Sequence, residues 1–506
     1  MRQAFMIKAR NNNSAFARTS RVFPALLTAS MFFSLAAGVS AQVSEPKPGA
    51  PRSVTVPAVK ETKLNTGLTV AVIERKSVPT ISVQLLSKNG SNQESRTKAG
   101  LANLTASLLT KGTKTRSATQ IAEDIEFLGA SIYSFAGWQN ASAGIGAMTD
   151  KFDAAMAIFA DAVLNPTFTE DELKLAKSQT LDELTFNLTQ PGFLAGYVAS
   201  RYSYGEHPSG GTPASIESLT RSDVVKFYED NYRPSESVLI FVGDITQEKA
   251  MAAATKYFGG WRKQGRGYGS ASAATAVPEG EKGIVKRILV VDLPKSGQAS
   301  VNYAKPVLGV GRASKDFYAA LVLNSLFGGG YSSRLNQEIR IKRGLSYGAN
   351  SFYQWRTGKS NFRASTQTKN ESAAEVAELM VAEIKRLADS VPPDEELGPR
   401  KSVLTGGFGR SLETTGGVAN ALAGLYIYNL PASDMNSHMP SINGVKNTDI
   451  RAFAVKFLNS GDLIIVGDYS VFRDDLAKRF RDHSIQVIKV DELDVESETL
   501  RRSIVP

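Results

Sequence analysis

The chain has no cysteine and only three histidines among its 506 residues. The first absence excludes disulfides, thiolate metal sites and a cysteine nucleophile. The second leaves His207, His438 and His483, none within helical spacing of another, so no two-histidine metal motif can be written anywhere in the chain. No segment interleaves Lys and Arg with aromatics in the manner of a nucleic-acid groove, and no nucleic-acid partner is expected. Charge points the same way. The 59 basic and 49 acidic side chains give +10, but five of the positives fall in the first 41 residues, leaving 54 against 49, a mild +5. The apolar run at residues 22–38 is too short and too interrupted for a membrane span.

That run has a better reading as part of an export signal. Arg2, Lys8, Arg10, Arg18 and Arg21 form a basic lead with no acidic residue before position 44, and Val39, Ser40 and Ala41 end the run as an A-x-A-like cleavage site. Cleavage near Ala41 is expected to give a soluble periplasmic protein with no stable membrane span, beginning near Gln42; the alternative reading of the same run is an uncleaved N-terminal anchor. No cysteine follows the run, which excludes a lipoprotein anchor.

What is present is a long internal repeat. Laying the second half on the first with an offset of about 218 residues matches Ser82-Val83 with Ser300-Val301, and Ser107-Leu108 with Ser325-Leu326. Trp138 meets Trp355, and each half closes on a buried-strand pattern before Val-Gly-Asp, at residues 238–244 and 463–468. The period is too long for a solenoid and reads as a duplicated domain. Within the first copy, residues 67–75 and 80–88 read as a hairpin-like pair of strands. Leu101, Leu104 and Leu108 stripe a following helix that Gly112 stops. A serine-capped helix at 117–128, strands at 131–147, and helices at 150–164 and 169–187 follow. This order predicts an α+β fold of two homologous α/β-sandwich domains, each an antiparallel-rich sheet with helices packed on it. The expected layout is a signal at 1–41, a first domain at 42–262, a Gly/Ser/Ala-rich linker at 263–283 and a second domain at 284–506.

Four segments carry a family resemblance: AGLANLTASLLTKGT, GEHPSGGTPASIESLT, FYEDNYRPSESVLIFVGDIT and GGGYSSRLNQEIRIKRGLSYG. Together they resemble the bacterial two-domain members of the pitrilysin/insulinase (inverzincin) metallopeptidases, over nearly the whole chain after the signal. The resemblance implies a two-domain unit that forms half of a clamshell. In that family the first segment carries H-x-x-E-H. Here the matching positions are Asn103, Ala106 and Ser107, an amide, a methyl and a hydroxyl, none of them a zinc ligand or a general base. Glu183 stands 76 residues beyond Ser107, at the spacing of the family's third ligand, and alone it is far short of a four-ligand site. Arg340 and Tyr347 match an arginine–tyrosine pair that the family's C-terminal domain donates beside the zinc of the opposite half, where guanidinium and phenol donors suit an oxyanion. His207, followed by Pro208, suits a loop or helix-entry role. Gly328, Gly329 and Gly330 read as a helix C-cap and turn. Their likeness to a longer glycine-rich loop in the non-catalytic subunit of the mitochondrial processing peptidase implies substrate contact.

This pattern of loss and retention implies a non-zinc-binding subunit of a heterodimeric zinc metallopeptidase. The chain itself would bind no cofactor, zinc being expected on a homologous partner that bears the motif, with peptides as substrates. The alternative is a non-enzymatic peptide-binding or assembly protein of the same fold. Independent catalysis through unusual ligands is disfavoured by the ligand chemistry.

Overall fold

The computed structural model describes residue 56, residues 58–261 and residues 283–502. The expected export signal and all of the expected linker but Gly283 lie outside the described residues. Seven consecutive buried residues at Ser237–Gly243 (SVLIFVG), and again at Gly461–Gly467 (GDLIIVG), are strands with apolar neighbours on both faces. Each lies inside a six-stranded sheet. The first sheet holds β1 (Lys60–Lys63), β2 (Thr69–Glu74), β3 (Thr80–Ser87), β4 (Ser131–Ala136), β5 (Ala141–Met148) and β6 (Ser237–Gly243), in the order β1-β2-β6-β3-β5-β4. The second holds β7 (Val285–Asp292), β8 (Ala299–Leu308), β9 (Ala349–Trp355), β10 (Lys359–Thr368), β11 (Gly461–Gly467) and β12 (Ile485–Lys489), in the order β12-β7-β11-β8-β10-β9. Five strands correspond one to one. The edge strand differs, β1 lying antiparallel to β2 and β12 parallel to β7.

The expected hairpin of residues 67–75 and 80–88 is overturned. β2 and β3 do not pair; β6 lies between them, parallel to β2 and antiparallel to β3. The reason is the apolar character of β6, whose side chains need cover on both faces and find it only in the sheet interior. The helices follow the sequence pattern more closely. Ser117 caps Ala118–Phe127 in a capping box with Gln120, and Thr169 caps Glu170–Asn187.

Alternation along the strands sends successive side chains to opposite faces. In the first sheet Val70, Val72, Val83 and Phe241 join a core with the first half's own helices. Ala71, Ile73, Val238, Ile240 and Val242 meet helix Thr415–Tyr426, which belongs to the second half. The exchange is reciprocal: Leu289, Val291, Ala304, Ile464 and Val466 of the second sheet meet Leu194, Ala195 and Val198 on helix Pro191–Tyr202 of the first half. Each sheet is therefore completed by the other half. Leu422→Ala, in the second half's donated helix, is expected to cost about 2–3 kcal/mol and to lower the unfolding temperature of both halves in one calorimetric transition. Separate transitions would refute that coupling.

Candidate functional site

Helix Leu101–Leu108 begins on a buried carboxylate. Glu94 accepts hydrogen bonds from the backbone N–H groups of Gly100 (2.9 Å) and Ala102 (2.6 Å), supplying the capping acceptor that the helix start requires. Burial raises the Glu94 pKa above the ordinary carboxylate value, against the opposing pull of His207 and those two N–H groups. His207 Nε2 lies 3.0 Å from Glu94 Oε1. The histidine expected in a loop or helix-entry role lies in a loop and pairs with the carboxylate that starts the helix. Its neighbour Glu206 turns the other way, to Arg356 Nη2 (3.2 Å), Lys359 Nζ (2.9 Å) and Asn361 Nδ2 (2.9 Å), all from the second half. Sequence reading singled out His207 in this segment and missed Glu94 and Glu206.

The helix so positioned sets Asn103 and Ser107 one turn apart, on one wall of a cavity of about 280 Å³. Glu183, on helix Glu170–Asn187, lines the same cavity. Three positions 80 or fewer residues apart in sequence therefore line one cavity. Ala106, on the same helix, does not line the cavity and is fully buried. The donors present do not fit zinc. Asn103 Nδ2 donates to the Ser209 carbonyl oxygen (2.6 Å), Ser107 Oγ donates to the Leu104 carbonyl oxygen (2.8 Å), and Ala106 has no donor atom. Glu183 alone is a carboxylate. Among the described residues, no group of three or more His, Asp or Glu side chains could hold a metal ion. Asn103→His combined with Ser107→His would place two imidazoles at i and i+4 opposite Glu183, a His₂Glu set. That double variant is expected to retain about one zinc per chain through gel filtration, by elemental analysis. Failure to retain any would show that the cavity lacks metal-site geometry.

Arg340 and Tyr347 lie elsewhere. Arg340 falls in the turn of helix Asn336–Ile341, its guanidinium 4.7 Å from the Tyr331 ring centroid. Tyr347, just before β9, is 91% exposed. Neither lines the cavity of Asn103, Ser107 and Glu183, nor the one adjoining it. The glycine run is explained largely by packing. A Cβ on Gly328 would meet the backbone N of Ser351 at 2.5 Å, and one on Gly329 would meet Ser325 Cα at 2.8 Å. Only Gly330 has open space, with its nearest neighbour, Arg400, 3.9 Å away. Among the described residues no helix is long and apolar enough to cross a membrane.

Comparison with known proteins places these features in a family. Residues 69–191, which include Asn103, Ala106, Ser107 and Glu183, match the model of the insulinase family, peptidase family M16. Residues 218–402, which include Arg340 and Tyr347, match that of the peptidase M16 inactive domain. An "uncharacterized zinc protease" of Mycobacterium leprae (strain TN) is 29% identical over 293 residues, 57% of this chain and 64% of that protein, so the match spans just under two thirds of that relative. Another, from Streptomyces coelicolor, is 25% identical over 84% of this chain and 92% of its own length. Among solved structures, a peptidase M16 inactive domain from Pseudomonas fluorescens superposes with a TM-score of 0.72 at 26% identity, over 81% of this chain and 98% of that one. A protease from Helicobacter pylori shares the fold, with a TM-score of 0.73 at 21% identity over 82% of this chain and 100% of that one. With both halves matched and the fold shared, the chain belongs to the pitrilysin/insulinase family of metallopeptidases, peptidase family M16.

Proposed function

We propose that this chain is the zinc-free subunit of a two-chain zinc peptidase of its family, exported to the periplasm, and that Arg340 and Tyr347 complete the active site of a homologous, zinc-bearing partner. One observation carries the reading. The cavity at Asn103 and Ser107 has no ligand set for zinc, while Tyr347 and the Arg340 turn stand away from it, with Tyr347 almost wholly exposed. An exposed phenol and a half-buried guanidinium seven residues apart, both away from that cavity, can serve a reacting carbonyl that another surface supplies. Both are donors, suited to bind the oxygen that becomes negative when water attacks a peptide bond. Zinc and its activated water would belong to the partner, and the peptide would lie between the two chains, away from bulk solvent.

The test is reconstitution. This chain and a zinc-bearing homologue, purified separately and then mixed, are expected to form a heterodimer on gel filtration and to cleave short unfolded peptides faster than either alone. Peptide binding by this chain with no effect on any partner's rate would instead mark a peptide-holding protein. An exposed sheet edge offers such a protein a way to add an extended strand.

A further inference from the structure

β10 carries a polar face. Lys359, Asn361 and Arg363 alternate along it to one side, while Phe362 and Ala364 join the core on the other. Lys359 Nζ and Asn361 Nδ2 both reach Glu206, although Asn361 Oδ1 is left without a partner. Arg363 is not. Among the described residues it makes no ion pair, and its buried Nε has no hydrogen-bond partner. The guanidinium lies 4.8 Å from the Phe352 ring centroid. Burial lowers the Arg363 pKa, with the Tyr204 phenol opposing, but an arginine so placed keeps its charge.

The guanidinium is half-buried and without a counter-ion, and the surroundings accommodate it rather than neutralise it. Helix Pro191–Tyr202 passes so close that a Cβ on Gly196 would collide with Arg363 Nη1, so only glycine lets the side chain reach its position. Beside it is a cavity of about 270 Å³, whose lining includes Arg363, Tyr197, Ser200 and Ser209 and no carboxylate. Tyr197 is a second unfilled donor, 7% exposed, with no partner for its hydroxyl. Burial, with Glu496 and Asp494 nearby, pushes its pKa far up, so it keeps the proton it can donate. Leu184, Phe193 and Gly210 also line the cavity of Asn103, Ser107 and Glu183, so the two spaces adjoin.

We infer that Arg363 and Tyr197 form a carboxylate-binding site between the two halves, which takes the chain end or an Asp or Glu side chain of a peptide lying in the adjoining cavity. A carboxylate matches the guanidinium fork with two acceptors and has lone pairs left for the phenol. The volume suits a single side chain or chain end rather than a folded segment. Glu183 in the next cavity, and Glu496 and Asp494 near Tyr197, repel an anion from those sides, so the charge of the ligand must be met by Arg363. The inference rests on the peptide-handling role proposed above and names where such a peptide would be anchored.

Fluorescence anisotropy with labelled peptides tests it on the full chain. Peptides of one sequence would be compared as the free acid, as the C-terminal amide, and with Asp and Glu replaced by Asn and Gln. Arg363→Met is expected to weaken binding of carboxylate-bearing peptides by about 10- to 100-fold and to leave fully neutral peptides unaffected. If amidation alone reproduces the loss, the chain end is the ligand; if the Asn/Gln exchange does, a side chain is. Arg363→Met is also expected to keep or slightly raise the unfolding temperature, because it removes an unpaired charge. A fall of several degrees would make Arg363 a structural residue and overturn the site. Equal binding of acid and neutral peptides by wild type and variant would overturn it while leaving peptide handling intact. If no peptide binds, N-acetylglutamate serves as a direct probe. A thermal shift that is lost in Arg363→Met would keep the anion site and reject the peptide role, and no shift would reject both.

Discussion

Arg340→Ala in this chain, paired with an intact zinc-bearing partner, is expected to lower the kcat for peptide cleavage by about 10²- to 10³-fold with little change in KM. The magnitude is that of one charged or polar donor removed from an oxyanion. The split between kcat and KM follows because the carbonyl oxygen becomes a strong acceptor only as it gains charge. Tyr347→Phe removes a single O–H at nearly constant shape and is expected to fall in the same range. Folding cannot supply the effect. Tyr347 is 91% exposed, and among the described residues Arg340 makes no ion pair, only its approach to the Tyr331 ring. Both variants should therefore keep the unfolding temperature of the wild type and still form the heterodimer. The double variant should cost less than the product of the two single losses, since both groups serve one oxygen. Unchanged rates in both single variants would end the idea that this chain donates to its partner's chemistry, whatever its role in assembly.

Much of the fold was legible in the sequence, and the places where it was not share a physical cause. The duplication could be read because landmarks such as Trp138 and Trp355 recur at a near-constant offset, Trp138 just past the end of β4 and Trp355 at the end of its counterpart β9. Local signals at Ser117 and Thr169 were likewise sufficient, because a cap is made by residues three apart. The failure at β2 and β3 arose because adjacency in sequence was taken for adjacency in the sheet. The strand that separates them comes more than 150 residues later, and only its continuous apolar run hinted at a central place. The exchange of helices 191–202 and 415–426 was invisible for the same reason, since an apolar stripe does not say which sheet it will cover. Within the site, Asn103, Ser107 and Glu183 were placed by likeness to a motif, and they do line one cavity. Arg363 was missed although its signal was present. The alternation Asn361-Phe362-Arg363-Ala364 marks one face of β10 as polar, and a polar strand face inside a protein needs a partner. Glu206 had a signal too, an acidic residue in a glycine-rich turn, but its partners lie 150 residues onward.

Glu206→Ala is expected to destabilise the protein by about 3–5 kcal/mol, the usual cost of stripping one member from a buried ionic cluster. Its side chain is 7% exposed, and its loss would strand Arg356 and Lys359, at 14% and 20% exposure, together with the fully buried Asn361. The damage should extend to both halves, because Glu206 is an ionic anchor of the first half on the second sheet and Arg356 also lies 5.0 Å from the Trp138 ring centroid, itself 4.9 Å from the His207 ring. Asp389→Ala, at an exposed ion pair with Lys385 (65% and 58% exposed), provides the contrast and should cost no more than about 0.5 kcal/mol. Acid dependence separates charge from packing. Burial opposes ionisation of Glu206, but the Arg356 and Lys359 charges and their hydrogen bonds outweigh it and leave its pKa below the ordinary 4.5. The folded state thus binds this proton less readily than the unfolded one. The ionised carboxylate contributes its stability above about pH 4.5 and loses it as the pH falls through the lower folded-state value. Glu206→Gln keeps the shape and the Asn361 contact without the charge, so the gap in unfolding free energy between wild type and this variant should be full at pH 7 and shrink below pH 4.5. A gap of constant size across that range would mean that Glu206 acts by packing alone, and the two halves would then be held together by their exchanged helices without an ionic clamp.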